Sequence, residues 1–242
     1  MRRILFLTVC IVFSLSSFAQ WTPQQTEWYH PEPVKIAPAK TPGDPPADAV
    51  VLFDGTDLSR WVNGKGETPE WTVSGKVLSV KPGAGEIYTK EHFGDCQLHV
   101  EFRSPAPEKY NGQNRGNSGI LLMGRYEVQV LDGDDNHTYV NGMVGSIYKQ
   151  AAPLVNAYTK NGEWQVYDIY WKAPGFGAGG ILEAPAVITV VLNGIVVQNN
   201  YTLKGNTPYV GLPEYSAHGR LPLMLQDHGT AVSYRNIWIR NL

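Results

Sequence analysis

The chain has 242 residues, 43% of them hydrophobic and 17% charged, with a formal net charge of -2, which is enough apolar material for one ordinary globular core. The near-neutral balance and the lack of any run of Lys and Arg exclude nucleic acid as a partner, because phosphate binding needs clustered cations. Aromatic residues make up 11% of the chain; amphipathic rings suit both sandwich cores and the apolar faces of sugars, so they do not decide the ligand.

Taken in chain order, the first element is a sorting signal. Arg2 and Arg3 precede an apolar run from Ile4 to Leu15, and Ser16 to Ala19 supply small and polar residues, so residues 1–19 read as a signal peptide cleaved after Ala19. No later stretch reaches about 18 uninterrupted apolar residues, so the mature chain is expected to be exported, periplasmic or extracellular, without an integral membrane segment. Cys10 lacks the small residues that precede a lipidated cysteine, which favours secretion over a lipid anchor. Removal of the signal leaves Cys96 as the only cysteine; it cannot form an intramolecular disulfide and reads as a small core residue. Residues 20–49, rich in Pro, Lys, Thr and Gln without an apolar period, read as an extended segment that Trp21 and Trp28 pin to the surface.

The folded domain is expected over residues 50–242. It opens at Val50 to Phe53, and strand signals recur at Trp71 to Val73, Val77 to Val80, Gln97 to Arg103, Gly119 to Leu131, Gln165 to Trp171, Val187 to Gln198, Leu223 to Gln226 and Val232 to Arg240. Gly, Pro, Asn and Asp separate them, and Asn193-Gly194 is the preferred pair for a type I′ hairpin turn. Helical periodicity is almost absent. Parallel sheets would need helical crossovers, so the class is all-β, an antiparallel β-sandwich.

Arg125-Tyr126-Glu127-Val128-Gln129-Val130 alternates strictly, which puts Arg125, Glu127 and Gln129 on one face of a strand, about 7 Å apart, and Tyr126, Val128 and Val130 on the other. A guanidinium, a carboxylate and a carboxamide in a row can grip a polyhydroxylated ligand. The competing reading is the solvated outer face of an antiparallel sheet. Gln97 to Arg103 repeats the pattern, with His99, Glu101 and Arg103 on its polar face; were the two strands in one sheet, their polar residues would form a continuous saccharide platform.

The order of motifs carries a resemblance. Leu52-Phe53-Asp54-Gly55-Thr56 with Trp61 comes first, then Arg115-Gly116-Asn117-Ser118-Gly119-Ile120, then the alternating strand, Gly162-Glu163-Trp164-Gln165, Leu225-Gln226-Asp227-His228-Gly229 and Tyr234-Arg235-Asn236-Ile237. From about Val50 to Leu242 the chain resembles the 3-keto-disaccharide hydrolase family of exported bacterial proteins. The resemblance implies a concanavalin-like jelly roll and cleavage of a glycosidic bond in a sugar oxidised at its 3-hydroxyl, with an oligosaccharide or glycoside as partner.

A 3-ketone acidifies the proton on carbon 2, so the anomeric substituent can be eliminated and water added back. This needs a base near carbon 2, a group that stabilises the enolate oxygen, and an acid for the leaving group. Glu127 is the first candidate for the base; His228 is the second, or the acid. Arg115, Arg125 or a bound divalent cation could stabilise the enolate, while Gln129, Asn117 and Gln226 suit hydroxyls. Each has a bland alternative. His228 could cap a turn, Asn117 could serve a polar loop, Tyr148 could reach a ligand or simply pack, and Trp164 reads as core before sugar platform. Asp132 to His137 resembles a calcium loop but lacks its closing Glu, so no metal ligands are assigned. A rival enzymatic reading uses two carboxyl groups, Glu101 and Glu127, about 5 to 9.5 Å apart. A third reading is a lectin-like binding module, because sandwich architecture alone does not imply catalysis.

Overall fold

A computed structural model describes residues 21–106 and 110–242; the expected signal peptide lies outside these described residues. The chain divides into two units at Lys35 and Ile36. Residues 21–35 contain one short 3-10 turn, Pro23–Gln25, closed by the Thr22 amide donating to Gln25 Oε1 at 2.8 Å. Trp21 and Trp28, expected to pin this stretch, are both largely exposed.

Among the described residues, the larger unit, Ile36–Leu242, is built from fifteen strands: β1 Val50–Phe53, β2 Trp61–Asn63, β3 Thr72–Ser74, β4 Val77–Ser79, β5 Ile87–Phe93, β6 Cys96–Arg103, β7 Ser118–Leu122, β8 Tyr126–Val130, β9 Gln165–Lys172, β10 Gly175–Phe176, β11 Leu182–Ala184, β12 Val187–Leu192, β13 Ile195–Thr202, β14 Leu221–Leu225 and β15 Ser233–Asn241. One sheet runs β13-β12-β9-β6-β15-β4-β3, with β1 also on β15; the other runs β2-β5-β14-β7-β8. Pairing is antiparallel throughout, and β10 with β11 makes a small separate ribbon. This is the expected all-β sandwich, a jelly roll of the concanavalin-like class. Among the described residues, no helix is long and apolar enough to cross a membrane.

The alternating strands aim their apolar sets at one shared core. Leu98, Val100 and Phe102 of β6 meet Tyr167 and Ile169 of β9, and Tyr126, Val128 and Val130 of β8 close over them from the facing sheet. Tyr126 packs on Trp171 at 5.1 Å between ring centres, and Tyr234 of β15 donates its hydroxyl to Ser118 Oγ of β7 at 2.6 Å. Both contacts bridge the two layers. Cys96 is buried among these residues, and burial pushes its thiol up to about 12, which makes it a core residue rather than a nucleophile.

The run from Gly119 to Leu131, read as one strand, is a hairpin. Met123 and Gly124 take positive φ (54° and 62°) and turn β7 into β8. At Asn193-Gly194 the expected turn joins β12 to β13, again with both φ positive (52° and 79°). Strand β5 gave no signal because its sequence, Ile-Tyr-Thr-Lys-Glu-His-Phe, breaks alternation with a polar run.

Candidate active site

β8 lies at the edge of the five-stranded sheet, so the carbonyl of Arg125 and the backbone groups of Glu127 and Gln129 face away from β7 and need other partners. Two loops supply them. The Thr207 amide donates to Arg125 O at 2.8 Å, and the Glu127 amide donates to Thr207 Oγ1 at 3.1 Å. Below these, the Tyr148 amide donates to Glu127 O at 3.2 Å, and the Gln129 amide donates to Ser146 O at 3.0 Å. Covering the edge therefore also brings Thr207 and Tyr148 alongside the polar row.

That row is not solvated. Glu127 is 6% exposed and Gln129 1%, which removes the reading as an open outer face. Both point away from the core, into a cavity of about 240 Å³ lined by Asn117, Leu121, Glu127, Gln129, Tyr148, Thr207, Tyr209, Gln226 and His228. Larger hollows lie elsewhere, one of about 450 Å³ near Tyr88 and His92 and one of about 420 Å³ beneath Thr41 to Asp44. Neither contains a carboxylate buried as Glu127 is.

Gly119 of β7 makes room for the carboxylate: a Cβ there would lie 2.8 Å from Glu127 Oε1. Among the described residues no hydrogen bond reaches the carboxylate, and burial alone pushes its pKa from 4.5 up to about 7. Around it are carboxamides. Gln129 Nε2 donates to Gln113 Oε1 and Gly142 O at 3.1 and 3.2 Å, while its own Oε1 is buried without a partner. Gln226 is fixed through its backbone, donating to Gly119 O at 3.0 Å and accepting from Ser118 Oγ at 2.6 Å; its Oε1 is likewise buried and unpaired. Two orphaned acceptors in one cavity suit ligand hydroxyls. Tyr148 shares a hydrogen bond with Tyr139, hydroxyl to hydroxyl at 2.6 Å. Burial, that bond and the nearby Glu127 hold the Tyr148 phenol protonated well above its ordinary range.

His228 stands at the rim. Asp227, not His228, forms the turn: its carboxylate accepts from the Gly229 amide at 2.9 Å and the Gly85 amide at 3.0 Å, leaving the exposed imidazole free of any hydrogen bond among the described residues. The cavity thus gathers six residues singled out from sequence, Asn117, Glu127, Gln129, Tyr148, Gln226 and His228. It adds Leu121, Thr207 and Tyr209, which the sequence did not signal. Leu121 was readable in retrospect, two positions from Gly119 on the same face of β7. Thr207 and Tyr209 lie in an aperiodic loop and carried no signal.

Four expectations are corrected. Arg115 does not line the cavity; its Nε donates to Asp132 Oδ2 at 3.1 Å, and Asp132 is 0% exposed. Asp132 also accepts from the Asp134 amide and from Asn161 Nδ2, so this loop's oxygens serve its own fold. Arg125 sits at the hairpin end and donates to Ser216 Oγ at 2.8 Å, outside the cavity. Glu101 belongs to the other sheet, because alternation fixes which face a residue occupies but not which sheet its strand joins. It accepts from Arg235 Nε at 2.5 Å and Asn236 Nδ2 at 2.9 Å. Its neighbour His99 is buried, which lowers its pKa, yet Asp168 and Glu101 outweigh this and hold it at about 9. Glu101 and Glu127 thus occupy opposite outer faces of a sandwich whose layers alone are about 10 Å apart, so they cannot flank one glycosidic bond. Trp164 is neither core nor platform: Arg103 and Arg235 sit over its half-buried ring at 4.7 and 4.2 Å. Among the described residues no group of three or more His, Cys, Asp or Glu is placed to hold a metal ion.

A family model described as the 3-keto-alpha-glucoside-1,2-lyase-like domain matches residues 48–240. A candidate glycosyl hydrolase from Parabacteroides distasonis is 46% identical with a TM-score of 0.88, over 93% of this chain and 98% of that one. A second candidate glycosyl hydrolase from the same bacterium has a TM-score of 0.61 at 19% identity, over 81% and 94% of the two chains, and shares the fold. Among curated proteins none matches. The family match and the 46% identical neighbour support a carbohydrate-active function.

Proposed function

This chain belongs to the 3-keto-alpha-glucoside-1,2-lyase-like family, and from that premise we propose that it cleaves the glycosidic bond of 3-keto-glycosides by elimination followed by hydration. The observation that carries the reading is the buried Glu127, the one carboxylate lining this cavity among the described residues, which burial brings to about 7, where a general base works best near neutral pH.

Glu127 takes the proton from carbon 2 of the keto sugar. The electron pair moves onto the carbon 3 oxygen as an enolate, and the Tyr148 hydroxyl donates to that oxygen while Tyr139 donates to Tyr148. Collapse of the enolate restores the ketone, forms the double bond between carbons 1 and 2 and breaks the bond from carbon 1 to the leaving oxygen, which His228 protonates. Water then adds across the double bond, hydroxyl to carbon 1 and proton to carbon 2. Asn117, Gln129 and Gln226 hold hydroxyls. To a divalent cation the cavity would offer the Glu127 carboxylate, the His228 imidazole and the two unpaired carboxamide oxygens, and such an ion would stabilise the enolate charge. The amino-terminal sequence supports action outside the cytoplasm.

The test offers ordinary and 3-keto glycosides with a chromogenic leaving group to the mature protein in deuterated water. Release from the keto substrate alone, with deuterium at carbon 2, is expected. Release from ordinary glycosides would overturn elimination; sugar binding without release from either would favour a lectin-like module.

A further inference from the structure

The outer cover of the Glu127 cavity hangs on one side chain. Residues 206–214 form a loop closed at its base, where the Asn206 amide donates to Glu214 O at 3.0 Å and the Glu214 amide donates to Asn206 Oδ1 at 3.2 Å. Thr207 ties the inner limb of this loop to β8. Tyr209 lies beyond that tie, 75% exposed, and yet lines the cavity. Among the described residues its hydrogen-bond and ring contacts come from Lys149 alone: the ammonium donates to Tyr209 O and sits 4.3 Å from the centre of the Tyr209 ring. The same ammonium lies 5.6 Å from the ring of Tyr148, which also lines the cavity. We propose that Lys149 is a positioning residue, which holds Tyr209 over the cavity so that the unsaturated sugar formed by elimination stays in place until water adds to it.

The inference rests on the elimination reading above and extends it from bond breaking to the fate of the intermediate. Lys149 is held where it stands. Its φ of 58° is a left-handed conformation that glycine or asparagine adopts far more readily than lysine, and such strain persists only where the surroundings impose it. Here a tight turn does so: the Gln150 amide donates to Ile147 O at 2.8 Å, Ile147 and Ala151 exchange backbone bonds at 3.1 and 3.0 Å, and the Lys149 amide donates to Asn141 O at 2.7 Å. The next residue grips the root of the loop, since Gln150 Nε2 donates to Gly205 O at 3.0 Å and Gln150 Oε1 accepts from the Lys204 amide at 2.9 Å. Root and turn are thus fixed to each other, and the limb bearing Tyr209 is left to the ammonium. A cation on a carbonyl and on an aromatic face combines a charge-assisted hydrogen bond with a cation–π contact. Lys149 is exposed to water, so the hold is weak enough to break when sugar enters or leaves, as a cover over a reacting site must allow.

The test follows a 3-keto glycoside with a chromogenic leaving group, reading release of that group and, by chromatography with ultraviolet detection of its conjugated ketone, the unsaturated sugar free in solution. The fraction of turnovers that end in free unsaturated sugar should rise about tenfold in Lys149→Met, the loss of one charge-assisted contact. It should return to the wild-type fraction in Lys149→Arg, which keeps the charge and the donors. A side chain that served stability alone would change the amount of active enzyme and leave this fraction as it was. Equal fractions in wild type and Lys149→Met, whether low or complete, therefore overturn the proposal while leaving elimination standing. Should wild type cleave no keto glycoside, elimination fails, and the hold on Tyr209 is then judged by hydrogen exchange in a peptide spanning residues 204–212. Faster exchange in Lys149→Met, restored in Lys149→Arg, supports the hold; equal exchange in all three proteins overturns it.

Discussion

Glu127→Gln separates the proposed base from its burial, because Gln keeps the shape of the side chain and removes its charge. In the folded protein the carboxyl holds its proton to about pH 7, against an ordinary value of 4.5. The unfolded chain therefore releases between those two pH values a proton that the native state retains. Wild-type stability is greatest below the ordinary carboxyl value and declines as pH rises through this window. The interval from 4.5 to about 7 corresponds to about 3 kcal/mol, at roughly 1.4 kcal/mol per tenfold in proton affinity. The Glu127→Gln variant, with no proton to lose there, would show no such decline.

Urea unfolding at about pH 4 and about pH 8 reads this directly. The variant should match the wild type in acid and exceed its stability at the higher pH by up to that amount. Its turnover of a 3-keto glycoside should fall about 10²–10⁴-fold, the usual worth of a positioned base. In the wild type, kcat/KM should rise with pH through about 7 as the carboxyl ionises. Identical pH dependence of stability in the two proteins would refute the argument that burial retains this proton, and near wild-type turnover in the variant would remove Glu127 from the base role.

Gly119→Ala should act on the same carboxylate, since the added Cβ would lie 2.8 Å from Glu127 Oε1. The atom it meets is the end of a side chain, so the carboxylate shifts before the backbone does; turnover should drop about a hundredfold for a shift of ~1 Å, and an unaltered rate would show that Gly119 does not set its position. Arg115→Met should leave the buried Asp132 without its cation and cost about 3–5 kcal/mol in urea unfolding; loss of turnover without loss of stability would return Arg115 to the site. Cys96, with its thiol at about 12, should resist maleimide in the native protein and react in guanidinium, and rapid native labelling would contradict its place in the core.

Much of the fold was legible because period-2 alternation was strong where a strand has one apolar face. Gln97 to Arg103 and Tyr126 to Val130 were read with their core sides correct, and Asn193-Gly194 was read as the turn it makes. Alternation carries no information about sheet membership, which is why Glu101 was grouped with Glu127 although β6 and β8 lie in different layers. It also suggests that the polar face is wet, whereas Gln129 is among the most buried polar residues. What covers it comes from residues 145–148 and from the loop holding Thr207 and Tyr209, contacts between segments distant in sequence and without period. The six cavity residues visible in advance lie on, or just beyond the ends of, β7, β8 and β14, or in the bridge segment beside β8. Arg115 and Arg125 illustrate the opposite limit, because a guanidinium near a site in sequence can as easily be engaged by a buried Asp or a loop Ser.

The edge position of β8 connects fold to chemistry. An edge strand must have its outward amides and carbonyls satisfied, and here Thr207, Tyr148, Ser146 and Gly145 satisfy the Arg125 carbonyl and the amides and carbonyls of Glu127 and Gln129. The same segments shut water away from the Glu127 carboxylate, and this desolvation is what raises its proton affinity. A second acid nearby would raise it further but would share the proton, as paired carboxyls do. Surrounding it with Gln129, Gln226 and Asn117 leaves a single carboxylate among the described residues lining the cavity, as the proposed removal and return of one carbon-bound proton requires. The device that protects the sheet edge is thereby also the device that suits Glu127 to the proposed role of base.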